Sequence, residues 1–270
     1  MCRILQVTPS GFRNWRRRPY STRKTHDERL KLLIEDIDHQ HKGRYGAPRI
    51  QKQLAADGHQ HSVRRIARLM RDLGLYGKTR RKFVKATDSK HALPVAPNLL
   101  DRNFTPEAPN TVWASDITYI PTKEGWLYLA VTMDLFARTM AGWSMENTMT
   151  AQLPLKALNM AVSRRKPPAG LIHHSDRGSQ YASQAFQNAL RENEMLCSMS
   201  NKGDCWDNAV VESFFETLKR ELVDGCVYHS HEEARKAIFE YVEVYDNRKR
   251  RHSSLGYLTP LEAECQATAA

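Results

Sequence analysis

Three strand-like segments in succession, followed by alternating helix and strand, constrain this chain more than anything else in it. TVWASDITYI alternates like a half-buried strand from Val112, KEG supplies a turn, and WLYLAVTMD is apolar enough for a central strand. TMAGWSM makes a third. Residues 151–164 then show helical spacing through Leu155, Leu158 and Val162. LIHHSD reads as a short strand running into a loop, 183–193 as a helix, MLCSMS as another short strand and 208–222 as a strong helix. This order predicts an α/β domain with a mixed five-stranded sheet flanked by helices.

The first third reads differently. The chain has 270 residues and a formal charge of +11, yet its first 90 residues hold 23 Lys and Arg against 8 Asp and Glu. A basic segment joined to a slightly acidic one suggests that a polyanion is gripped by the first and processed by the second. Leu30, Leu33, Ile34 and Ile37 have helical spacing within residues 26–43. After GRYGAPRI, Pro48 suits the first turn of a short helix ending near Asp57, with Gly58 closing it. Ser62 then caps a second helix running to Leu73, with a stripe of Val63, Ile66, Met70 and Leu73 and a basic surface of Arg64, Arg65, Arg68 and Arg71. Two short helices joined by a Gly-containing turn resemble a helix-turn-helix unit; an ordinary helical hairpin with a solvated basic face is the alternative. The run KTRRKFVKATDSK, with Arg80, Arg81 and Lys82, reads as a linker able to lie along a phosphate backbone. Residues 1–91 are thus expected to form an all-α basic DNA-binding region. Residues 92–111, with four prolines, form a linker, and 112–270 form the α/β domain with a helical C-terminal segment.

Five scattered cysteines without a CxxC pair argue against a disulfide framework or zinc knuckle and for a reducing cytosol. No apolar run approaches the length of a membrane span, and the apolar stretch at the start is too short for a signal peptide. The expected location is the cytoplasm.

Three acids occupy suggestive places. Asp116 lies mid-strand in the apolar setting WASDITYI, where a carboxylate is costly unless something positive faces it. Asp176 follows the short strand LIHHS. Glu212 begins a helix beside Val210, Val211, Phe214 and Phe215. Brought together at one sheet edge, they form an all-oxygen site suited to hard divalent cations. Two such ions activate the attacking oxygen and stabilise the leaving one in phosphoryl transfer.

The segments WASDITYI, HHSDRGSQYAS and NKGDCWDNAVVESFFETLKRE resemble the signature of insertion sequence three family transposases, relatives of retroviral integrases. Asp176 and Glu212 are separated by 35 residues and Lys219 follows Glu212 by seven, as in that family; YDNRKRRHSSLGYLTPLEAE is similar to its C-terminal segment. The resemblance implies a ribonuclease H-like core that cleaves mobile-element ends and joins them to new DNA. Water or a DNA 3′-hydroxyl attacks phosphorus, and circular element intermediates are implied too. Asp116, Asp176 and Glu212 are then expected to hold two Mg2+ ions, with Mn2+ able to substitute. Seven residues is nearly two helical turns, so Lys219 shares a face with Glu212 and reaches DNA phosphate. The implied partners are double-stranded DNA, further copies of the chain, and the product of an upstream reading frame, usually fused by frameshifting. Two other readings stay open: an inert DNA-binding regulator, and a ribonuclease H-like nuclease acting on hybrids or junctions.

The neighbours carry their own expectations. His173 and His174 are packing or DNA-contact groups rather than ligands, since Mg2+ avoids imidazole. Asp207 caps the Glu212 helix, Glu216 is a solvated helix charge, and Asp134 is a bystander. Trp113, Tyr119, Trp126 and Trp143 are sheet core. Gly178 and Ser179 let the loop after Asp176 approach DNA, with Tyr181 packed beneath it. Arg248, Arg250 and Arg251 are expected to contact the DNA backbone.

Overall fold

In a computed structural model, residues 2–78, 94–201 and 205–269 are described. The chain divides into two compact units, residues 1–78 and 79–270. The first is helical: α1 (Pro9–Arg17), α2 (Thr22–Gln40), α3 (Ala47–Ala56) and α4 (Val63–Asp72). Ser21 caps α2 through Lys24 N–H, and Ser62 caps α4 through Arg65 N–H. Pro48 sits in the first turn of α3, and Gly58 and Gly74 adopt positive φ just past α3 and α4. Leu30, Ile34 and Ile37 of α2, Ile50 and Leu54 of α3, and Ile66, Leu69 and Met70 of α4 are buried.

Two stripe positions differ from the sequence reading. Val63 and Leu33 are exposed, while Leu69 is buried, because the inner face of α4 runs through 66, 69 and 70. Helix α1 has no strong apolar periodicity over a long stretch and was not expected; Thr8 caps it through Gly11 N–H, and none of its residues is buried.

The second unit holds β1 (Val112–Thr122), β2 (Gly125–Asp134), β3 (Thr139–Glu146), α5 (Gln152–Arg165), β4 (Ile172–Ser175), α6 (Gln184–Glu192) and β5 (Leu196–Met199). A 3-10 turn, Cys205–Asn208, leads into α7 (Ala209–Leu218), followed by α8 (His231–Phe239) and α9 (Pro260–Ala269). The strand order is β3-β2-β1-β4-β5, with β1–β3 antiparallel neighbours and β4 and β5 parallel to β1 and to each other. This is the expected mixed five-stranded sheet. Gly142 in β3 is required by close packing. A Cβ there would stand 2.1 Å from the Ala157 carbonyl of α5, so the helix backbone lies directly on the strand.

The strong helix expected over 208–222 changes pitch. After Leu218 the backbone widens into a π-helical turn, Lys219–Val223, which carries Glu221 inward. Tyr241 Oη–H donates to Glu221 Oε2 at 2.9 Å, and Arg250 Nε lies 3.1 Å from the same oxygen. Tyr241 itself lies in a second π-helical stretch, Glu240–Asp246. The side chain of Arg250 thus points into the protein, ion-paired with Glu221 and Asp246, and is not available to a DNA backbone. Its neighbour Arg251 donates to the Tyr257 carbonyl and is largely covered, whereas Arg248 is exposed. The C-terminal segment closes on this buried ion pair, which sets Arg250 apart from the expectation that all three arginines face a DNA backbone.

Candidate active site

The parallel pairing of β1 with β4 runs from Val112↔Ile172 to Ser115↔Ser175. Asp116 and Asp176 are therefore the next residues on two adjacent strands, at the same level, where the ladder ends. β1 continues past this point as the partner of β2, with Asp116 opposite Val131. β4 stops, and its chain turns into a loop. The end of one strand beside the middle of a longer one opens the sheet at the two acids.

Glu212 arrives on the first turn of α7, which packs on β1. Asn208, the residue before this helix, donates from Nδ2 to the Ser115 carbonyl at 3.1 Å, one residue from Asp116. Both Asn208 and Ser115 are buried. That bond fixes the root of α7 to the strand carrying the first acid. Nothing in the sequence marks Asn208 apart from its place ahead of an apolar helix.

Asp116 is held well above the usual carboxylate range, first by burial and next by the charge of Asp176. Glu212 raises it further, while a 2.8 Å hydrogen bond from Ile117 N–H and the charge of Lys219 act the other way. Asp176, Glu212 and Lys219 each therefore lie within electrostatic reach of Asp116. Lys219, at the start of the π turn, is lowered by burial, with Asp224 and Asp116 opposing that shift. Its Nζ stands 4.4 Å from the centroid of the Tyr119 ring. The ammonium thus lies over the β1 residue Tyr119, within electrostatic reach of Asp116.

Gly178 determines how Asp176 is held. Its N–H donates to Asp176 Oδ1 at 2.9 Å, and a Cβ on it would sit 2.9 Å from that same oxygen. The sequence suggested a glycine that lets the loop approach DNA; the contact it makes is with the carboxylate itself. Tyr181, expected to pack beneath the loop, is buried.

The other acids and aromatic residues separate into structural roles. Asp207 does not cap α7. It accepts from Asn201 N–H at 2.7 Å, Asn98 Nδ2 at 3.0 Å and Arg102 Nε at 3.2 Å, tying the segment before β1 to the turn before α7. Burial acts to raise it, but those bonds prevail and its carboxyl lies below the ordinary value. Asp134 is fully buried and paired with Arg165, away from the site. Trp113 is sheet core, but Trp126 is half-exposed and packs edge-on against Tyr119. Tyr119 and Trp143 are partly covered. Solvent reaches Trp126 because it pairs with Pro121 at the hairpin end of the sheet.

His173 and His174 are buried. His173 Nε2 is 2.8 Å from Ser115 Oγ, and His174 Nδ1 is 2.8 Å from Ser198 Oγ. Burial lowers them to about 3 and about 4, so both are neutral struts between β1, β4 and β5. They are packing groups, without access to DNA.

The donor set at the sheet opening is made of hard oxygen ligands, and the part of the rise of Asp116 that Asp176 and Glu212 add to the effect of burial is what a divalent cation would relieve. Among the described residues, no three His, Cys, Asp or Glu side chains converge closely enough to ligate one ion. The acids fit a divalent cation in chemistry and charge, and their side chains must draw together to hold one.

In the first unit, Arg65 Nη2 and Arg68 Nη2 each lie 2.6 Å from a different oxygen of the buried Asp27. Arg68 is the main cause of the lowered Asp27 carboxyl. Two of the four α4 arginines are thus engaged with α2, while Arg64 and Arg71 are exposed. Arg80, Arg81 and Lys82 lie outside the described residues.

Residues 106–205 match the family described as an integrase core domain, and residues 193–260 match a second family of that description. Residues 25–83 match an HTH-like domain. The chain is 46% identical over 266 residues to the transposase InsF for insertion sequence IS3A of Escherichia coli strain K12, covering 98% of this chain and 92% of that protein. It is also 46% identical, over 96% of both chains, to the insertion element IS600 uncharacterized 31 kDa protein of Shigella sonnei. A chain of the simian T-cell lymphotropic virus intasome in complex with PP2A regulatory subunit B56 gamma is similar in fold. That likeness has a TM-score of 0.50 and 17% identity, and covers 79% of this chain and 70% of that one. The integrase core, the HTH-like region and near-full-length identity agree that the chain belongs to the family of insertion sequence IS3 transposases.

Proposed function

We infer that the protein is a DDE-type DNA transposase that cleaves the ends of a mobile element and joins them to target DNA through Asp116, Asp176 and Glu212. The observation that carries this reading is the strand register that sets Asp116 and Asp176 at the same level where β4 ends beside β1, with Glu212 on the first turn of the helix packed on β1. Asp134 and Asp207 are paired with arginines, whereas Asp116, raised first by burial, is raised further by Asp176 and Glu212.

Asp116, Asp176 and Glu212 would hold a pair of divalent cations, Mg2+ with Mn2+ able to replace it, and Lys219 would meet the phosphate. Bound there, the cations supply Lewis acidity to the attacking and leaving oxygens of an in-line phosphoryl transfer. The residues themselves orient the reacting groups. Asp176 is fixed by Gly178 N–H, Asp116 by Ile117 N–H, and Glu212 by the Asn208 anchor. Lys219, kept near Asp116 by the Tyr119 ring, adds positive charge where the phosphate's negative charge concentrates.

Double-stranded DNA is the substrate. In the helix-turn-helix unit the exposed Arg64 and Arg71 are the phosphate contacts, with Arg65 and Arg68 oriented by Asp27. Arg248 serves the same purpose in the second unit. The protein acts as an oligomer on DNA, with the product of an upstream reading frame as fusion or partner, in the bacterial cytoplasm and on the nucleoid. No helix among the described residues is long and apolar enough to cross a membrane.

The test is strand joining on DNA carrying the element's own ends, with the full chain supplied alone and with its upstream partner. Asp116→Asn should abolish cleavage and joining in Mg2+ and Mn2+ while DNA binding survives. Joining at the wild-type rate by that variant would overturn the assignment.

A further inference from the structure

An acid stands where the apolar stripe of α2 calls for a leucine. The buried residues of that helix are Asp27, Leu30, Ile34 and Ile37, one face at helical spacing. A carboxylate in such a place is costly unless it is paired. Two arginines of α4 pair it. Arg65 donates to Oδ1 from Nε at 2.9 Å and from Nη2 at 2.6 Å, and Arg68 donates to Oδ2 from Nη2 at 2.6 Å. A fold that needed only packing here would gain as much from apolar side chains. What the acid adds is direction. It holds two long, rotamer-rich side chains in one orientation while each keeps an outer edge in solvent, the Arg65 side chain being 31% exposed and that of Arg68 44%. A guanidinium carries more N–H donors than Asp27 occupies, so each arginine retains donors on that edge.

We propose that Arg65 and Arg68 are the sequence-reading residues of the helical unit, each directed by Asp27 toward a guanine in the major groove of the element's end. This rests on the DNA-binding reading given above and is independent of the catalytic acids. The place of the two residues fits the task. Helices α3 and α4 lie within the HTH-like match, and Arg65 and Arg68 stand in the first two turns of α4, the second helix of the pair. In helix-turn-helix units the N-terminal residues of the second helix meet base edges in the major groove. Attraction to phosphates follows charge, which suits the exposed Arg64 and Arg71. One carboxylate cancels half the charge of the Arg65–Arg68 pair, so the pair is weaker in that role. A fork held in one orientation instead matches O6 and N7 of guanine, which accept two N–H groups at once.

The experiment uses the full chain and a pool of DNA duplexes with a randomised central stretch, from which the wild type selects a site. That site should hold guanines, and replacing them with 7-deazaguanine, which lacks N7, should raise the wild-type Kd by about ten-fold. Arg65→Lys and Arg68→Lys keep the charge and lose the fork. Each should bind the selected duplex about ten-fold more weakly and a scrambled duplex as the wild type does. Asp27→Asn removes a negative charge beside DNA, so it should bind the scrambled duplex as tightly as the wild type or more so, and the selected duplex less tightly. If Asp27→Asn proves unfolded by thermal melting, the two lysine variants decide. Equal losses on both duplexes in the lysine variants make these arginines phosphate contacts and overturn the proposal. Tighter binding of both duplexes by Asp27→Asn, no effect of 7-deazaguanine, or no sequence preference in the selection overturns it as well and leaves the DNA-binding reading standing. Failure of the wild type to bind any duplex overturns both.

Discussion

At the scale of single residues, two positions show how closely the site is tied to the packing around it. Gly178 has no side chain because one would occupy the space of the Asp176 carboxylate, 2.9 Å from its Oδ1. Gly178→Ala should leave the protein folded yet turn Asp176 away, lowering strand joining on the order of 10²-fold, the scale of a misplacement near 1 Å. Equal melting temperatures alongside a joining assay would check this. The neighbouring His173 and His174 bear on pH stability. Both titrate below the ordinary value of 6.5, at about 3 and about 4, chiefly through burial. Between these values and 6.5 the unfolded chain binds protons that the folded one refuses. Their contribution is therefore complete above pH 6.5 and is lost as pH falls toward 4. Asp116, raised by burial, acts in the opposite sense, so the informative quantity is a difference between variants. His174→Gln should show a shallower fall of melting temperature than wild type between pH 6.5 and 4.

At the scale of elements, the segment after the second π-helical stretch illustrates how a charge cluster in sequence divides in space. RKRRH reads as one basic stretch, yet Arg250 closes on Glu221 and Asp246 inside the protein while Arg248 remains outside. Removing one member of a buried pair leaves the other uncompensated. Arg250→Ala should thus cost about 3–5 kcal/mol of stability in urea unfolding. Arg248→Ala should change stability by less than about 0.5 kcal/mol, as an exposed substitution. Comparable losses for both would refute this division. Because Glu221 lies on the same π-helical turn as Lys219, the Arg250 variant should also disturb the position of the ammonium.

At the scale of the whole molecule the chain forms two compact units, residues 1–78 and 79–270, and the proposed function puts most DNA binding in the first and the chemistry in the second. Arg64 and Arg71 have no part in the α4 core, so Arg64→Ala with Arg71→Ala should preserve folding and weaken binding to all DNA sequences alike. A plot of log Kd against log salt should lose about two phosphate contacts of slope, close to 0.9 each. An unchanged slope would remove these two residues from the interface. If metal affinity in the second unit is unaltered in the same variant, the two tasks are separable.

The sequence by itself determined most of the secondary structure and the choice of acids. Alternation in TVWASDITYI, the helical spacing of 151–164 and the caps at Ser62 and Pro48 are local signals, decided by backbone preference and one-sided burial. The spacing of Asp176, Glu212 and Lys219, read with the family resemblance, marked those three residues. What only the tertiary structure decided involves partners distant in sequence. Asp207 was free to be a cap until Asn98, Arg102 and Asn201 met it, and Arg250 read as a DNA-backbone contact until Glu221 faced it. Asn208 matters because Ser115 is beneath it, 93 residues away. A polar group's role depends on which groups satisfy it once water is excluded, and in this fold those groups come from other elements.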